Sequence, residues 1–422
     1  MTGLRRTEGM RVGVLGSGGR EHALAWALAR SPRADAVFVL PGNGGTVGNQ
    51  PVDPADPEAV ASACARLDLD LLVVGPEGAL VTGLVDRLSR TTTVAFGPGA
   101  QAARLEGSKQ WAKAFMVRHG IPTAAYEIVE TEEAVRSLAE AWDGRMVLKA
   151  DGLAGGKGVT VCSSIDEAVD GWRALRAGRP AGEPILAEKR LEGWELSILV
   201  ITDGQAASLF PPSQDHKPVF DGDRGPNTGG MGAFAPVAAC DGALQSRIRD
   251  GIIEPTLMGL RADGISYRGF LYFGLMITPS GPQLLEYNVR LGDPEAEVVL
   301  PLLRSDLLTT MVECIDGWLP GMRIEDGFAV DVVLAAGGYP GKPALARTIY
   351  GLDAVPEDVR VFHGGTRRVD GVLETSGGRV LHIVGRGETL DAAIDRAYAG
   401  CAAVSFDGMQ YRRDIGRRGE GS

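Results

Sequence analysis

The sequence predicts an α/β fold with a parallel sheet at its N-terminal end and a small α/β unit at its C-terminal end. Three observations carry this. Short apolar runs end in glycine-rich loops that lead into helical spacing, as at 12–15, Gly16-Ser17-Gly18-Gly19 and 21–30. Glycine accounts for 59 of 422 residues, about twice its usual roughly 7% share, and clusters at the ends of such runs rather than recurring periodically. Hydrophobic residues at 44% and charged residues at 23% are ordinary for a globular chain, and at roughly 100–200 residues per domain the length allows two to four domains.

The elements follow in order. Residues 1–9 form a polar extension ahead of the first strand, 12–15. The helix over 21–30 puts Ala23, Leu24, Ala27 and Leu28 on one face. Strands over 37–40 and 69–74 end in Pro41-Gly42-Asn43-Gly44-Gly45 and Gly75-Pro76-Glu77. Strand, glycine loop and helix in repetition argue a parallel sheet with helices on both faces, and ligands on such sheets lie at the carboxyl ends of the strands. A helix over 109–119, a strand over 146–150, a glycine loop over 152–158 and a strand over 159–162 come next. Two further strands are expected at 185–190 and 196–201. Residues 211–236 read as one long polar loop, which in a compact enzyme is functional or mobile. Strands over 270–277 and 283–289 form a hairpin through Thr278-Pro279-Ser280-Gly281-Pro282. The last hundred residues hold strands near 329–335 and 380–384 and a helix near 390–399.

The net charge is −11, which disfavours non-specific nucleic-acid binding, so an anionic ligand must be met by a local group of cations. Cys64, Cys162, Cys240, Cys314 and Cys401 are odd in number and far apart, with no CxxC pair. That argues against a zinc knuckle or a disulfide framework and for a reduced, cytoplasmic chain. No apolar stretch suggests a leader or a membrane span.

Four motifs carry chemistry. The turn Gly16-Ser17-Gly18-Gly19-Arg20-Glu21 fails as a dinucleotide fingerprint, because Glu21 replaces the third glycine and the second strand ends in Leu40-Pro41 without an acid. It suits either one phosphate, met by free backbone N–H groups and Arg20, or an ordinary tight turn. The run from Lys149 to Val159 is not a Walker A loop, since Asp151 and Gly158 break that pattern and it leads into a strand. A hairpin tip with Gly152, Gly155, Gly156 and Gly158 can lie over a polyphosphate, with Lys149 and Lys157 supplying charge; the plain alternative is a glycine hairpin with solvated lysines. In Leu285-Glu286-Tyr287-Asn288-Val289-Arg290, alternation puts Glu286, Asn288 and Arg290 on one face and Leu285, Tyr287 and Val289 on the other. Glu286 and Asn288 offer hard oxygens for Mg²⁺, though a Glu–Arg surface pair reads equally simply. The segment 225–232, with four glycines, reads either as a bare surface loop or as a lid over a small polar substrate.

In combination these segments resemble the glycinamide ribonucleotide synthetases of the ATP-grasp superfamily, in family order from about residue 10 to 415. The most specific are Gln214-Asp215-His216-Lys217 and Pro226-Asn227-Thr228-Gly229-Gly230-Met231-Gly232. The resemblance implies an N-terminal domain over 10–108 for phosphoribosylamine. It implies an ATP-grasp region over 109–318 with a lid over 120–190, and a C-terminal α/β domain over 326–418. It implies ligation of glycine to 5-phosphoribosylamine at the expense of ATP, through glycyl phosphate, in purine synthesis. Lys157 and Arg290 would be catalytic. ATP would be bound by Lys109, Lys149, Gly155, Gly156, Lys157, Gly158, Glu188, Leu191 and Glu195. Substrates would meet Gly18, Arg20, Asn43, Glu77, Asp215, Lys217, Asn227, Arg290 and Asp293. Glu286 and Asn288 would hold Mg²⁺ (or Mn²⁺), with several waters, because the strand over 270–277 contributes no acid. The sequence departs from the family pattern at Lys189, Arg190 and Trp194, in the adenine hinge. The expected partners are small molecules, with neither nucleic acid nor membrane, and the expected state is a monomer. Another carboxylate–amine ligase of the superfamily and a catalytically silent nucleotide-binding protein are the competing readings.

Overall fold

The structure is a computed structural model and describes residues 4–153, 158–177, 179–180 and 182–417. Met10–Gly16 is the second strand of a four-stranded parallel sheet, paired with Ala34–Pro41 on one side and Leu71–Val74 on the other, with Val94–Phe96 at the edge. Val12, Val14 and Leu15 are all fully buried. A strand apolar on both faces is what helices on both sides of a parallel sheet require. The 1–9 extension is tied down rather than loose: Arg6 Nε lies 3.0 Å from Oδ1 of the buried Asp70.

The second sheet is antiparallel. Trp194–Thr202 and Gly281–Asn288 flank Gly269–Thr278, and Ala207–Leu209 forms an edge. The expected hairpin is present, with Glu286 opposite Gly274 but Leu284 opposite Leu275. Leu285 is therefore the extra residue of a β-bulge. This corrects the alternation: Leu284, Tyr287 and Val289 are buried in the core, while Leu285 is half-buried and turned to a groove.

Tyr126–Ile128, Ile185–Lys189, Met146–Ala150 and Val159–Cys162 form a separate four-stranded sheet, covered by the helices Glu132–Ala141 and Ile165–Arg176. It has its own core around Val135, Leu148, Ala168 and Ala187. The glycine loop joins two of its strands; residues 154–157, and with them Gly155, Gly156 and Lys157, lie outside the described residues.

The segment 211–236 is not one loop. Gln214–Asp215 and Gly232–Ala235 are strands of a five-stranded sheet with Phe328–Ala335, Arg379–Gly387 and Val359–His363, and Pro218–Phe220 pairs with Arg224–Asn227. Strands of two to four residues are too short to show an alternation, and their glycines and prolines mimic loop chemistry. The C-terminal sheet thus reaches back and fixes this segment beside the second sheet. Among the described residues no helix is long and apolar enough to cross a membrane.

The first helix and the C-terminal sheet meet at two histidines, half-buried His22 and buried His363. His363 donates its backbone N–H to His22 Nδ1 at 2.9 Å, so His22 must be neutral there. Burial, with His363 adding, holds His22 down at about 3, and burial holds His363 at about 4. Between pH 6.5 and about 4 the unfolded chain takes up protons that the folded chain refuses, so stability falls as pH falls through this window. The two rings together make this on the order of a few kcal/mol. His22→Asn keeps an acceptor that cannot be protonated. Thermal unfolding across pH 4–7 should show a shallower acid slope for this variant than for the native chain.

Candidate active site

A groove of about 1040 Å³ runs between the separate four-stranded sheet, the second sheet and the 214–229 segment, at the upper end of the size range of small-molecule sites. Its cations are placed by a buried carboxylate. Lys149 lies on the strand Met146–Ala150, and Lys109 and Lys113 lie on the helix Lys109–Arg118. Glu188 Oε1 is 2.9 Å from Lys149 Nζ, and its Oε2 is 2.9 Å from Lys113 Nζ. Glu188 is 2% exposed and Lys113 also 2%, so each charge depends on the others. Burial pushes the Lys113 ammonium down to about 8, against the pull of Glu188. Burial would raise the Glu188 carboxyl, but the two lysines hold it below its ordinary range. Lys113 was not picked out from the sequence. Its spacing of four from Lys109 is the available signal, because it puts both lysines on one helix face.

Asp151 joins the lysine helix to the strand Met146–Ala150. It accepts from the Ser108 hydroxyl at 3.0 Å and the Gln110 N–H at 3.1 Å, satisfying donors at the helix N-terminus. Lys109 donates to Gly152 O at 2.8 Å, and burial lowers its pKa.

Glu286 and Asn288, on the strand Gly281–Asn288, line the same groove, and so does Arg290, two residues beyond the strand. The bulge at Leu285 turns its carbonyl toward Lys149, which donates to it at 3.3 Å. Glu286 has no hydrogen bond or ion pair among the described residues. Asn288 uses Nδ2 on the Tyr287 carbonyl at 2.6 Å, which leaves its Oδ1 as an acceptor. Arg290 is fully engaged: Nη2 to Glu106 at 2.8 Å, Nε to Glu77 at 3.3 Å and Nη1 to Leu291 O at 3.1 Å. It is a fixed cation with little freedom to move. Glu106, another residue the sequence reading passed over, also accepts from the Val289 N–H at 2.7 Å. Burial raises its carboxyl to about 7 despite Arg290.

At the far end, Lys217 Nζ lies 2.5 Å from Glu195 and 3.5 Å from Asp215. Burial alone would lower the Lys217 pKa, but these two carboxylates hold it well above its usual value. Burial, with Glu295, Glu195 and Glu286 adding, pushes Asp215 up to about 7. Glu295 accepts from the Ser197 hydroxyl at 2.9 Å. Arg379, also missed, reaches from the C-terminal sheet to Gly229 O at 2.6 Å and Asp293 Oδ1 at 3.0 Å. Only a chain contact across some 150 residues of sequence reveals it.

Glu77, Lys109, Lys149, Gly158, Glu188, Leu191, Glu195, Asp215, Lys217, Asn227, Glu286, Asn288, Arg290 and Asp293 all line this groove, but Gly18, Arg20 and Asn43 do not. Part of the anion site expected at Gly18 is engaged within the turn: the Gly18 N–H donates to Glu21 Oε2 at 2.6 Å, and Arg20 pairs with Glu21 Oε1 at 2.6 Å. Arg20 is 8% exposed. Asn43 ties Ser17 O, at 3.0 Å, to His363 O, at 2.6 Å, a bridge between the first and last sheets. Glu188, expected against nucleotide, carries the two lysines.

Comparison with known proteins gives three matches in chain order. They are the N domain of phosphoribosylglycinamide synthetase over 10–106, its ATP-grasp (A) domain over 107–296 and its C domain over 329–418. The chain is 45% identical over 418 residues to the phosphoribosylamine–glycine ligase of Ralstonia nicotianae, covering 97% of this chain and 99% of that one. It is 44% identical to the enzyme of that name from Chlorobaculum tepidum, covering 97% and 100%. A crystal structure of phosphoribosylamine–glycine ligase from Thermotoga maritima superposes with a TM-score of 0.84 at 39% identity, covering 96% and 99%.

Replacing Glu188 by Gln keeps its volume but leaves two buried ammonium groups uncompensated. Removing one partner of a buried pair costs about 3–5 kcal/mol. Glu188→Gln should therefore unfold at markedly lower denaturant concentration than the native chain. Equal midpoints would mean that the lysines are not held by this carboxylate.

Proposed function

The chain belongs to the phosphoribosylglycinamide synthetase family, and we propose that its groove joins glycine to 5-phosphoribosylamine, converting ATP to ADP and phosphate and giving glycinamide ribonucleotide in purine synthesis. One observation carries the reading most: Lys109, Lys113 and Lys149 share one groove with Glu286 and Asn288, and Glu286 has no hydrogen bond or ion pair among the described residues. A glycine carboxylate is a poor acyl donor. One of its oxygens attacks the γ-phosphorus of ATP, the bond to ADP breaks, and glycyl phosphate results. The amine nitrogen of phosphoribosylamine then attacks the acyl carbon, phosphate leaves, and the nitrogen gives up a proton. Both steps gather negative charge, so fixed cations do more here than a general base.

In this reading Lys109 and Lys149 meet the ATP phosphates, with Lys113 supporting them through Glu188. Gly158 and Leu191 lie along the nucleotide, and Glu195 accepts from its ribose. Lys157, Gly155 and Gly156, outside the described residues, are assigned to the ATP phosphates by the family resemblance alone. Glu286 and Asn288 would hold Mg²⁺ or Mn²⁺: their oxygens are hard donors and are not engaged elsewhere. When bound, that ion offsets charge on the transferring phosphoryl group. Arg290 is the fixed cation beside the acyl phosphate, and Asp215, Lys217, Asn227 and Asp293 surround the glycine and amine ends. Glu77 would meet the sugar, with Gly18, Arg20 and Asn43 shaping that end from behind through Glu21 and Asp293. We assign the sugar phosphate to the 10–108 unit, the nucleotide to 109–318 with its 120–190 lid, and closure of the far end to 326–418. All these groups come from one chain, so a monomer in the cytoplasm suffices.

ADP release should require glycine and freshly generated phosphoribosylamine together. Turnover with either one omitted, or with another amine in place of phosphoribosylamine, would overturn the assignment. Glu286→Gln removes the metal ligand's charge and should lower kcat on the order of 10²-fold or more, with a higher Mg²⁺ requirement. Arg290→Ala should lower activity without changing the Mg²⁺ dependence.

A further inference from the structure

Below the glycine turn that opens the first helix lies a group of charges of which only Asp293 borders the groove. Glu297 and Asp331 are both 0% exposed and His382 is 1% exposed. Asp293 Oδ1 is 3.9 Å from His382 Nε2, and Glu297 Oε1 is 3.7 Å from His382 Nδ1. One ligand atom from each of Asp293, Glu297 and His382 falls within 4.8 Å of the others. Both carboxylate oxygens of Glu297 are buried without a hydrogen-bond partner. The space between them is kept by a glycine: a Cβ on residue 19 would stand 2.5 Å from both Glu297 Oε1 and His382 Nε2.

The charges do not balance as they stand. Three carboxylates (Asp293, Glu297 and Asp331) face the Arg379 guanidinium, which is 3.0 Å from Asp293. The next arginine, Arg20, is paired with Glu21. With the imidazole protonated against Asp331 a single positive charge is missing; with it neutral, as a metal ligand must be, one divalent ion closes the count. Without it, burial and the neighbouring Asp293 and Asp331 push the Glu297 carboxyl well above its ordinary range, toward the protonated form. Buried charges of this kind are neutralised by a partner, a proton or a metal. The imidazole is already arranged as a metal-binding ring would be. Its Nδ1 is 2.7 Å from Asp331 Oδ2, the carboxylate–histidine contact that fixes tautomer and ring orientation at metal centres.

We propose that Asp293, Glu297 and His382 form a second divalent-cation site, separate from Glu286 and Asn288, for a borderline transition ion such as Zn²⁺. One imidazole nitrogen with two carboxylate oxygens suits Zn²⁺ better than Mg²⁺, which favours oxygen ligands and retains water. The ion would join the 293–297 segment to the strand Arg379–Gly387, and through His382 to Asp331 on the neighbouring strand. It would also hold Asp293 at the floor of the groove. This site needs no ligase activity to be detected, so it stands or falls apart from the proposed function.

The test uses the full chain, stripped of metal, then equilibrated with Zn²⁺ in a large excess of Mg²⁺ that occupies the hard-oxygen site. The expected result is one tightly held zinc per chain with a raised Tm. That zinc should be lost in Glu297→Gln and in His382→Gln and kept in Glu286→Gln. X-ray absorption at the zinc edge of the native chain gives a reading independent of variant folding. It should show nitrogen and oxygen ligands including one imidazole, and no sulfur. No stoichiometric zinc, zinc retained in both site variants, or sulfur ligation would overturn the site. The cluster would then be neutralised by protons.

Discussion

Glu188 is the constraint on which the groove depends. A chain of net charge −11 that handles triphosphate must collect cations locally. It does so by burying ammonium groups that would otherwise remain in water. Lys113 at 2% exposure and Lys149 at 7% cannot stay charged there alone. One carboxylate shared between them, 2.9 Å from each, fixes both positions. It also links two pieces of structure, since Lys113 belongs to the helix Lys109–Arg118 and Lys149 to the strand Met146–Ala150. The bulge at Leu285 completes the link by offering Lys149 a carbonyl at 3.3 Å. The strand Met146–Ala150 is therefore tied to the strand that carries Glu286 and Asn288.

The same arrangement recurs along the groove. Arg290 is held by Glu106 and Glu77, Lys217 by Glu195 and Asp215, and Arg379 by Asp293. Each cation is fixed before a ligand arrives, which is the preorganisation that charge-stabilising catalysis requires. Glu286 stands apart because, among the described residues, no hydrogen bond or ion pair holds it. This contrast with Glu106 and Glu188 is what supports the proposed metal role of Glu286.

Much of this was legible in the sequence, for physical reasons. A glycine-rich hairpin bracketed by Lys149 and Lys157, and an alternating Glu286–Asn288–Arg290 strand, are local patterns whose side-chain directions follow from backbone geometry. The parallel sheet was legible from apolar runs ending in glycine. Long-range pairing was not. The sequence gives no local sign that Glu188 binds lysines 39 and 75 residues away, or that Asn43 bridges to His363. The 211–236 segment reads as a loop because strands of two to four residues with glycine carry no period. Arg20 reads as an anion site because a turn's sequence does not reveal that Glu21 has already capped it. Leu285 was put on the wrong face because a bulge is invisible to a strict period of two.

The central claim is that these fixed cations serve an acyl phosphate formed on glycine. The most direct measurement follows oxygen. Glycine carrying ¹⁸O in its carboxylate is turned over with ATP and phosphoribosylamine, and the products are analysed by mass spectrometry. The account predicts that one ¹⁸O from each glycine consumed appears in the released phosphate. Phosphate free of label, with all of the ¹⁸O outside it, would contradict it.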